Sequence, residues 1–192
     1  MNGKEAEKYL EALGAILESE SAESLDIMVC GGMALILQGL IDRRTRDIDS
    51  MALVVMEDGA YVLKKPLVRK PVKDAIGRVA TVYGITRHWL SFQARTLLDD
   101  GLPEGIIERA KVRQYGEKLT VRLISRYDQV HLKLKAAISR EGPDAGDITE
   151  MGATEKEITA AAEWCLELGY SNADVREALE AIGHGEIAER IG

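Results

Sequence analysis

The feature that most constrains the fold is a glycine pair, Gly31-Gly32, directly after a short apolar segment at residues 26–30. The segment is rich in β-forming side chains and predicts a buried strand, which the glycines end. Residues 33–40 predict a helix that starts at this break, and the apolar residues 48–56 predict a second strand. The glycine pair therefore marks the point at which a strand turns into a helix.

Two carboxylates, Asp47 and Asp49, stand two residues apart at the head of the second predicted strand. Side chains at i and i+2 of a strand point to the same face, so the pair needs a compensating cation. Hard oxygen ligands suit Mg²⁺, which also takes substrate phosphates as ligands. Glycines let a phosphate approach the backbone, and Arg43 is one of three arginines between the two elements. Taken singly, the two aspartates also fit an ordinary pair of surface residues, and the glycine pair also fits a simple turn.

Composition narrows the class of protein. The 192 residues are enough to bury a core without disulfides. Cys30 and Cys165 form no Cys-x-x-Cys pair and lie in apolar stretches, so we expect buried free thiols. Every apolar run is too short to cross a membrane, and the N-terminus lacks a signal-peptide core. We therefore expect a soluble cytoplasmic protein with no membrane partner.

The formal net charge of −7 is unevenly distributed along the chain. Residues 1–41 carry a balance of −5, residues 42–140 a balance of +8, and residues 141–192 a balance of −10. A basic middle can attract phosphate-bearing ligands despite the acidic total. Ordinary solvated faces are the alternative explanation.

Periodicity, caps and turn residues predict the remaining elements. Strands are expected over residues 60–63, 111–115 and 119–124, and helices over residues 5–20, 71–82, 89–98, 105–110, 125–140, 144–151, 154–168 and 172–182. Strands occupy the middle of the chain and helices close it, which indicates the α+β class. We expect a core over residues 1–151 and a helical segment over residues 152–192 packed on that core.

Residues 31–49, G-G-M-A-L-I-L-Q-G-L-I-D-R-R-T-R-D-I-D, resemble the signature of small nucleotidyltransferases with the DNA polymerase β-type fold. The nearest groups are the AbiEii toxin-like nucleotidyltransferases and related small members, which show a glycine pair and then Arg-x-Thr-x-Asp-Ile-Asp. The resemblance spans roughly residues 26–151. It implies a polymerase β-like core with a mixed central sheet.

A second match with that family lies downstream, where it tends to show Lys-Leu-x-Ala, an arginine, and then Asp-x-x-Asp. The matching residues are Lys133, Leu134, Ala136, Arg140, Asp144 and Asp147. From spacing alone, Lys133 and Arg140 share a helix face, and a salt-bridge network between helices is the alternative role. A solvent-facing lysine contributes little to stability, so we expect Lys133→Ala to weaken nucleotide binding without unfolding the protein. Lys135 points to the other side of that helix and is the expected control.

The resemblance implies a Mg²⁺- or Mn²⁺-dependent enzyme that moves an NMP from an NTP to a hydroxyl of RNA, a protein or a small molecule. An antitoxin protein is a further implied partner. The implied metal ligands are Asp47 and Asp49, and the implied nucleotide-binding residues are Gly31, Gly32, Arg43, Thr45 and Lys133. Asp147 would support Lys133, which makes Asp47, Asp49, Lys133 and Asp147 the expected catalytic set.

One departure from the family pattern concerns a third carboxylate, which polymerase β-type enzymes usually place on a later core strand. Neither of the predicted strands at residues 111–115 and 119–124 carries one, and Ser91-Phe92 stands where some relatives carry Asn-Asp. The missing carboxylate has two interpretations. Asp147 takes the missing place, or the chain is a degenerate member that binds a nucleotide or a protein partner without turnover.

Overall fold

The computed structural model describes residues 1–20, 23–139 and 142–191. Its contacts divide the chain into two compact units. The first unit comprises residues 1–38 and 42–124, and the second comprises residues 39–41 and 125–192. The division falls at residues 124 and 125, and the predicted boundary at residues 151 and 152 lies inside the second unit.

The first unit is built on a mixed sheet to which the described residues contribute six strands. These strands are β1 (Leu25–Cys30), β2 (Ile48–Glu57), β3 (Ala60–Lys64), β4 (Leu90–Ser91), β5 (Lys111–Tyr115) and β6 (Leu119–Leu123). The order is β3-β2-β1-β6-β5, and β4 pairs with β2 beyond the end of β3. Strand β1 runs parallel to β6 and antiparallel to β2, with a register shift between Met28 and Val29.

The described residues of this unit also form helices. They are α1 (Gly3–Ser19), α2 (Gly31–Leu37), α3 (Lys70–Tyr83) and α4 (Ile106–Arg109), with a 3₁₀ helix at Gln93–Leu98. Alternate residues of β1, such as Ile27 and Val29, meet Leu13 of α1 and Val79 of α3 in one apolar core. This packing arises because apolar side chains alternate with a period of two along the strands and recur at helical spacing along α1 and α3.

The second unit is helical within its described residues. Its helices are α5 (Arg126–Ser139), α6 (Asp144–Glu150), α7 (Glu155–Glu167), α8 (Asn172–Ala181) and α9 (Gly185–Arg190). The predicted cap of α5 is present, since Ser125 Oγ accepts from the Asp128 N–H at 3.2 Å. Thr154 and Glu157 form a capping box at the start of α7. Helix α5 packs against α6, α7 and α8.

The α+β class is confirmed, and so are the strand, glycine break, helix and strand of residues 25–57. The predicted helix at residues 89–98 is wrong, because its first part is β4 and its second part is the 3₁₀ helix. The Trp89 indole is buried and donates to the Ile76 carbonyl at 3.1 Å, and the Trp89 carbonyl accepts from the Ile48 N–H at 2.8 Å. These two bonds hold the segment beside β2 as a strand. Helix α9 is an element that the sequence analysis did not predict.

Both cysteines are free and buried, as expected. Burial raises the pKa of the Cys165 thiol to about 12. No helix in the described part of the chain has both the length and the apolar character needed to cross a bilayer.

Candidate functional site

The carboxylates Asp47 and Asp49 flank the first residue of β2. Ile48, between them, is fully buried in the core, whereas both aspartates are half-buried. Alternation along the strand therefore keeps the two carboxylates off the core face. Asp49 lies opposite Cys30, the last residue of β1, so it stands beside the glycine break.

The glycine pair leaves room for a carboxylate and a guanidinium. Gly31 has a φ of +71°, and a Cβ built on it would lie 3.6 Å from Asp49 Oδ2. A Cβ built on Gly32 would lie 2.7 Å from Arg43 Nη2, so the guanidinium occupies the space that a side chain would take. Asp49, Arg43 and the backbone at Gly31 and Gly32 thus meet where β1 becomes α2. The seven residues of α2 make its dipole a minor contribution.

The loop that carries Arg43 is fixed by the first turn of α1. The Met1 ammonium donates to the Thr45 carbonyl at 2.6 Å, and the Thr45 N–H donates to the Met1 carbonyl at 3.0 Å. Arg44 Nη2 donates to both carboxylate oxygens of Glu5, at 3.0 and 3.3 Å. The backbone N–H of Asn2, together with Arg44, lowers the pKa of the Glu5 carboxyl. Thr45 therefore has a structural role through its backbone.

The strand on the other side of Asp49 supplies no carboxylate. Strand β4 places Ser91 opposite Asp49, and Ser91 Oγ accepts from the Gln93 N–H at 3.3 Å. Within the described ranges, no three or more His, Cys, Asp or Glu side chains form a group that could hold a metal ion. Mg²⁺ is commonly bound through one or two carboxylates completed by phosphate oxygens. The pair Asp47 and Asp49 fits an ion that arrives with a phosphate ligand.

A separate charged cluster lies inside the second unit. Lys133 Nζ donates to Asp144 Oδ1 at 2.6 Å and to Asp147 Oδ2 at 2.7 Å. The three residues are 7%, 3% and 2% exposed. The expectation of a solvent-facing Lys133 is therefore wrong, and Lys135 is equally buried. The reason is that α5 has helices packed on several sides, so its polar positions do not form a solvated face.

The electrostatics of this cluster centre on the Lys133 ammonium. One ammonium faces two buried carboxylates, and the two bonds use two of the three N–H groups of a lysine. Arg140, the other cation of the predicted motif, lies outside the described residues. The cluster thus matches the predicted salt-bridge network.

No protein-family model matches the chain, and neither does any curated protein or solved structure. The glycine pair, Arg43 and the aspartates Asp47 and Asp49 form one local group in the first unit. Lys133, Asp144 and Asp147 form another in the second unit. The sequence motif identified both groups, and Ser91, which departs from the family pattern, is the strand neighbour of Asp49.

Proposed function

We propose that the chain is a divalent-metal-dependent nucleotidyltransferase with a polymerase β-like core. An acceptor hydroxyl oxygen attacks the α-phosphorus of an NTP and forms a new P–O bond. The bond from that phosphorus to the oxygen bridging the β-phosphorus breaks, pyrophosphate leaves, and the hydroxyl proton passes to solvent. The products are the nucleotidylated acceptor, pyrophosphate and a proton.

The meeting of Asp49, Arg43 and the glycine pair at the β1–α2 junction carries this proposal. A guanidinium that lies over a glycine can donate to phosphate oxygens. The absence of a side chain at Gly32 lets the guanidinium lie against the backbone there, beside the place that a phosphate would take. The resemblance of residues 31–49 to the nucleotidyltransferase signature supports the same assignment.

Asp47 and Asp49 would hold Mg²⁺ or Mn²⁺ through their carboxylate oxygens. A bound ion there supplies charge neutralisation for the phosphates and lowers the pKa of an oxygen that it contacts. The chain's own contribution is positional. Arg43 orients the phosphates, and the bonds from Met1 and Glu5 to the loop keep Arg43 and Asp47 in place before a ligand arrives.

Lys133 and Asp147 remain proposed members of the catalytic set. This assignment of the Lys133 ammonium to the nucleotide rests on the family resemblance. Asp147 would hold that ammonium in position, as it does in the buried cluster. A role as part of a toxin–antitoxin pair is a further proposal, which rests on the family resemblance.

A transfer assay tests the proposed activity. The full chain is incubated with each labelled NTP, Mg²⁺ or Mn²⁺, and RNA, protein and small-molecule acceptors. We expect labelled acceptor with the parent protein and none with Asp47→Asn or Asp49→Asn. Asp58→Asn, in the exposed β2–β3 turn, makes the same charge change and should retain activity. Activity that persists in Asp49→Asn would contradict the proposal.

The second candidate is a degenerate, non-catalytic member of the same class. Ser91 favours this reading, because the strand neighbour of Asp49 has no carboxylate for a second ion. Such a protein should bind NTP with Mg²⁺ in a calorimetric titration and transfer nothing to the whole acceptor panel. The two candidates thus differ in turnover, while both require Asp47 and Asp49 for nucleotide binding.

A further inference from the structure

The chain between β3 and α3 carries a dense run of positive charge. Residues 64–73, here called the basic segment, contain five cations and no carboxylate. The cations are Lys64, Lys65, Arg69, Lys70 and Lys73, and all are exposed. Leu67, in the middle of the segment, is 84% exposed. The basic segment therefore presents cations around one apolar side chain on the surface of the first unit.

Acidic partners of the basic segment come from elsewhere in the same unit. Lys64 pairs with Glu57 at 2.8 Å, Lys65 with Asp99 at 2.5 Å, Arg69 with Glu23 at 3.2 Å, and Lys70 with Asp74 at 2.7 Å. Every one of these side chains is about half exposed or more. Exposed ion pairs contribute little to stability, so a phosphate can replace the carboxylate at small cost. Lys73 has no ion-pair partner within the described part of the chain.

The position of the cations conflicts with local electrostatics. Arg69 is the N-cap of α3, Lys70 and Lys73 lie in its first turn, and that turn has no acid. The N-terminal end of a helix favours negative charge. A local conflict of this kind is expected where a ligand of opposite charge belongs. An anion that binds the cations of the basic segment would relieve it.

The basic segment begins on β3, the strand that pairs with the strand of the proposed metal site. Strand β3 ends at Lys64, which lies opposite Leu53 of β2. Asp49 is four residues nearer the start of β2, which corresponds to about 13 Å along a strand. Lys65 contacts Asp99, directly after the 3₁₀ helix that packs on β2. A chain of phosphates that starts at Asp49 can therefore continue over the basic segment.

We propose that the acceptor is a single-stranded polynucleotide whose phosphates bind the basic segment and whose terminal hydroxyl lies at Asp47 and Asp49. This inference rests on the proposed transferase activity. A repeating anion matches five spaced cations, and Leu67 offers an apolar contact for one nucleobase. An anionic membrane would need more apolar surface than one leucine to hold the protein, so a polynucleotide is the better match.

The test measures binding of labelled single-stranded RNA and DNA oligonucleotides to the full chain by fluorescence anisotropy, over a range of salt. The test variant combines Lys65→Gln, Lys70→Gln and Lys73→Gln. The control combines Lys111→Gln, Lys118→Gln and Lys156→Gln, which removes the same charge elsewhere. Loss of three phosphate contacts should reduce the slope of log affinity against log salt by about two. The control should keep the parent slope, and transfer to the oligonucleotide should fall about tenfold only in the test variant.

Equal slopes and affinities in the test and control variants would overturn the inference. Lysine-dependent binding to phosphatidylserine vesicles without oligonucleotide binding would overturn it in favour of a membrane surface. A third outcome is oligonucleotide binding that depends on the lysines and survives Asp47→Asn, while the parent protein transfers nothing to any acceptor. This outcome would show that the polynucleotide surface exists and that the proposed transferase activity fails. Binding of RNA over DNA, or the reverse, identifies which polynucleotide is the acceptor.

Discussion

The ammonium of Lys133 lies 2.7 Å from Oδ2 of Asp147, and both side chains are almost completely buried. Asp144 makes the second contact, at 2.6 Å, so one cation is shared by two carboxylates. A lysine in this position cannot be treated as a surface residue whose removal affects only a ligand. Variants therefore have to separate the contribution of Lys133 to stability from its proposed contribution to nucleotide binding.

Lys133→Met should lower the free energy of unfolding by about 3–5 kcal/mol, because it leaves two buried carboxylates without their cation. The measurement is urea unfolding followed by circular dichroism. Lys156→Met, at an exposed position, should stay within about 0.5 kcal/mol of the parent. Adding Asp144→Asn and Asp147→Asn to Lys133→Met should recover most of the loss, since the three charges of the cluster are then all removed.

The same triple variant tests the nucleotide role in a folded protein. If Lys133 binds the triphosphate, its loss should weaken NTP affinity by about 1–3 kcal/mol, as expected for a charge-assisted contact. Calorimetric titration with NTP and Mg²⁺ measures the difference. Equal affinities in the parent and the triple variant would leave the cluster a purely structural one.

Mg²⁺ together with an NTP should raise the melting temperature of the parent protein. A ligand that binds only the folded state at about 100 times its Kd adds about 2.7 kcal/mol of stability. Asp47→Asn combined with Asp49→Asn should abolish the rise, because the carboxylate ligands are gone. Asp58→Asn should show the parent response, and a full response in the double variant would refute the metal site.

The two glycines of the pair should respond differently to alanine. Gly31→Ala should cost about 1–2 kcal/mol of stability, because a φ of +71° is unfavourable for a residue with a Cβ. Gly32 lies inside α2 without a positive φ, and its Cβ would displace only the flexible end of Arg43. Gly32→Ala should therefore preserve folding and weaken NTP binding. Thermal unfolding and NTP titration of both variants check this contrast.

Gly14 of α1 and Gly77 of α3 form a matched pair of helix glycines. A Cβ on Gly14 would clash with the Tyr115 backbone carbonyl, whereas a Cβ on Gly77 meets nothing within 4 Å. Gly14→Ala should destabilise the protein by about 1–3 kcal/mol through overpacking. Gly77→Ala should stabilise it by about 0.5–1 kcal/mol through helix propensity. Changes of the same sign in urea unfolding would contradict the packing of α1 on β5.

Glu157 should make stability depend on pH in the acid range. Burial opposes ionisation, but bonds from the Thr154 N–H and hydroxyl and from Arg126 lower the pKa of the Glu157 carboxyl overall. Because the pKa of this carboxyl is lower in the folded than in the unfolded chain, the carboxylate stabilises the folded protein at any pH above the unfolded pKa. This stabilisation is lost as the pH falls through the folded pKa. Glu157→Gln should cost about 1 kcal/mol at neutral pH, as for a lost cap.

The comparison that isolates Glu157 is the difference between the unfolding free energies of the parent and Glu157→Gln. This difference should shrink as pH falls below about 4, where the unfolded carboxyl is protonated. Glu163→Gln, on the exposed face of the same helix, makes the same chemical change and is the control.

Local pattern was enough to predict the part of the fold around the glycine pair. The apolar strands β1 and β2 and the break at Gly31 each have a short-range signal, and so does the capping serine of α5. The closeness of Arg43 to Gly32 was also within reach, because Gly32 begins the short helix α2 and Arg43 lies in the loop that follows it. These features depend on neighbours in sequence, which period and turn chemistry describe well.

Tertiary context decided the features that the sequence analysis missed. The segment that begins at Trp89 has helix-compatible residues, but bonds to Ile76 and Ile48 make it a strand. Lys133 looks solvent-facing on a helical wheel, and only the packing of other helices around α5 buries it. The position of Ser91 opposite Asp49 depends on β4, so it could not be inferred before that strand was known.

The parallel pairing of β1 with β6 has a consequence for how the protein folds. Ile27 meets Val121, so the centre of the sheet requires closure of nearly the whole first unit. Loop-closure entropy makes such long-range pairing slow, while β1, β2 and β3 are joined by shorter connections. We therefore expect the β1–β2–β3 meander to form early. The β5–β6 hairpin then completes the sheet in the slow step, leaving the edge of β1 open to wrong pairing until it arrives.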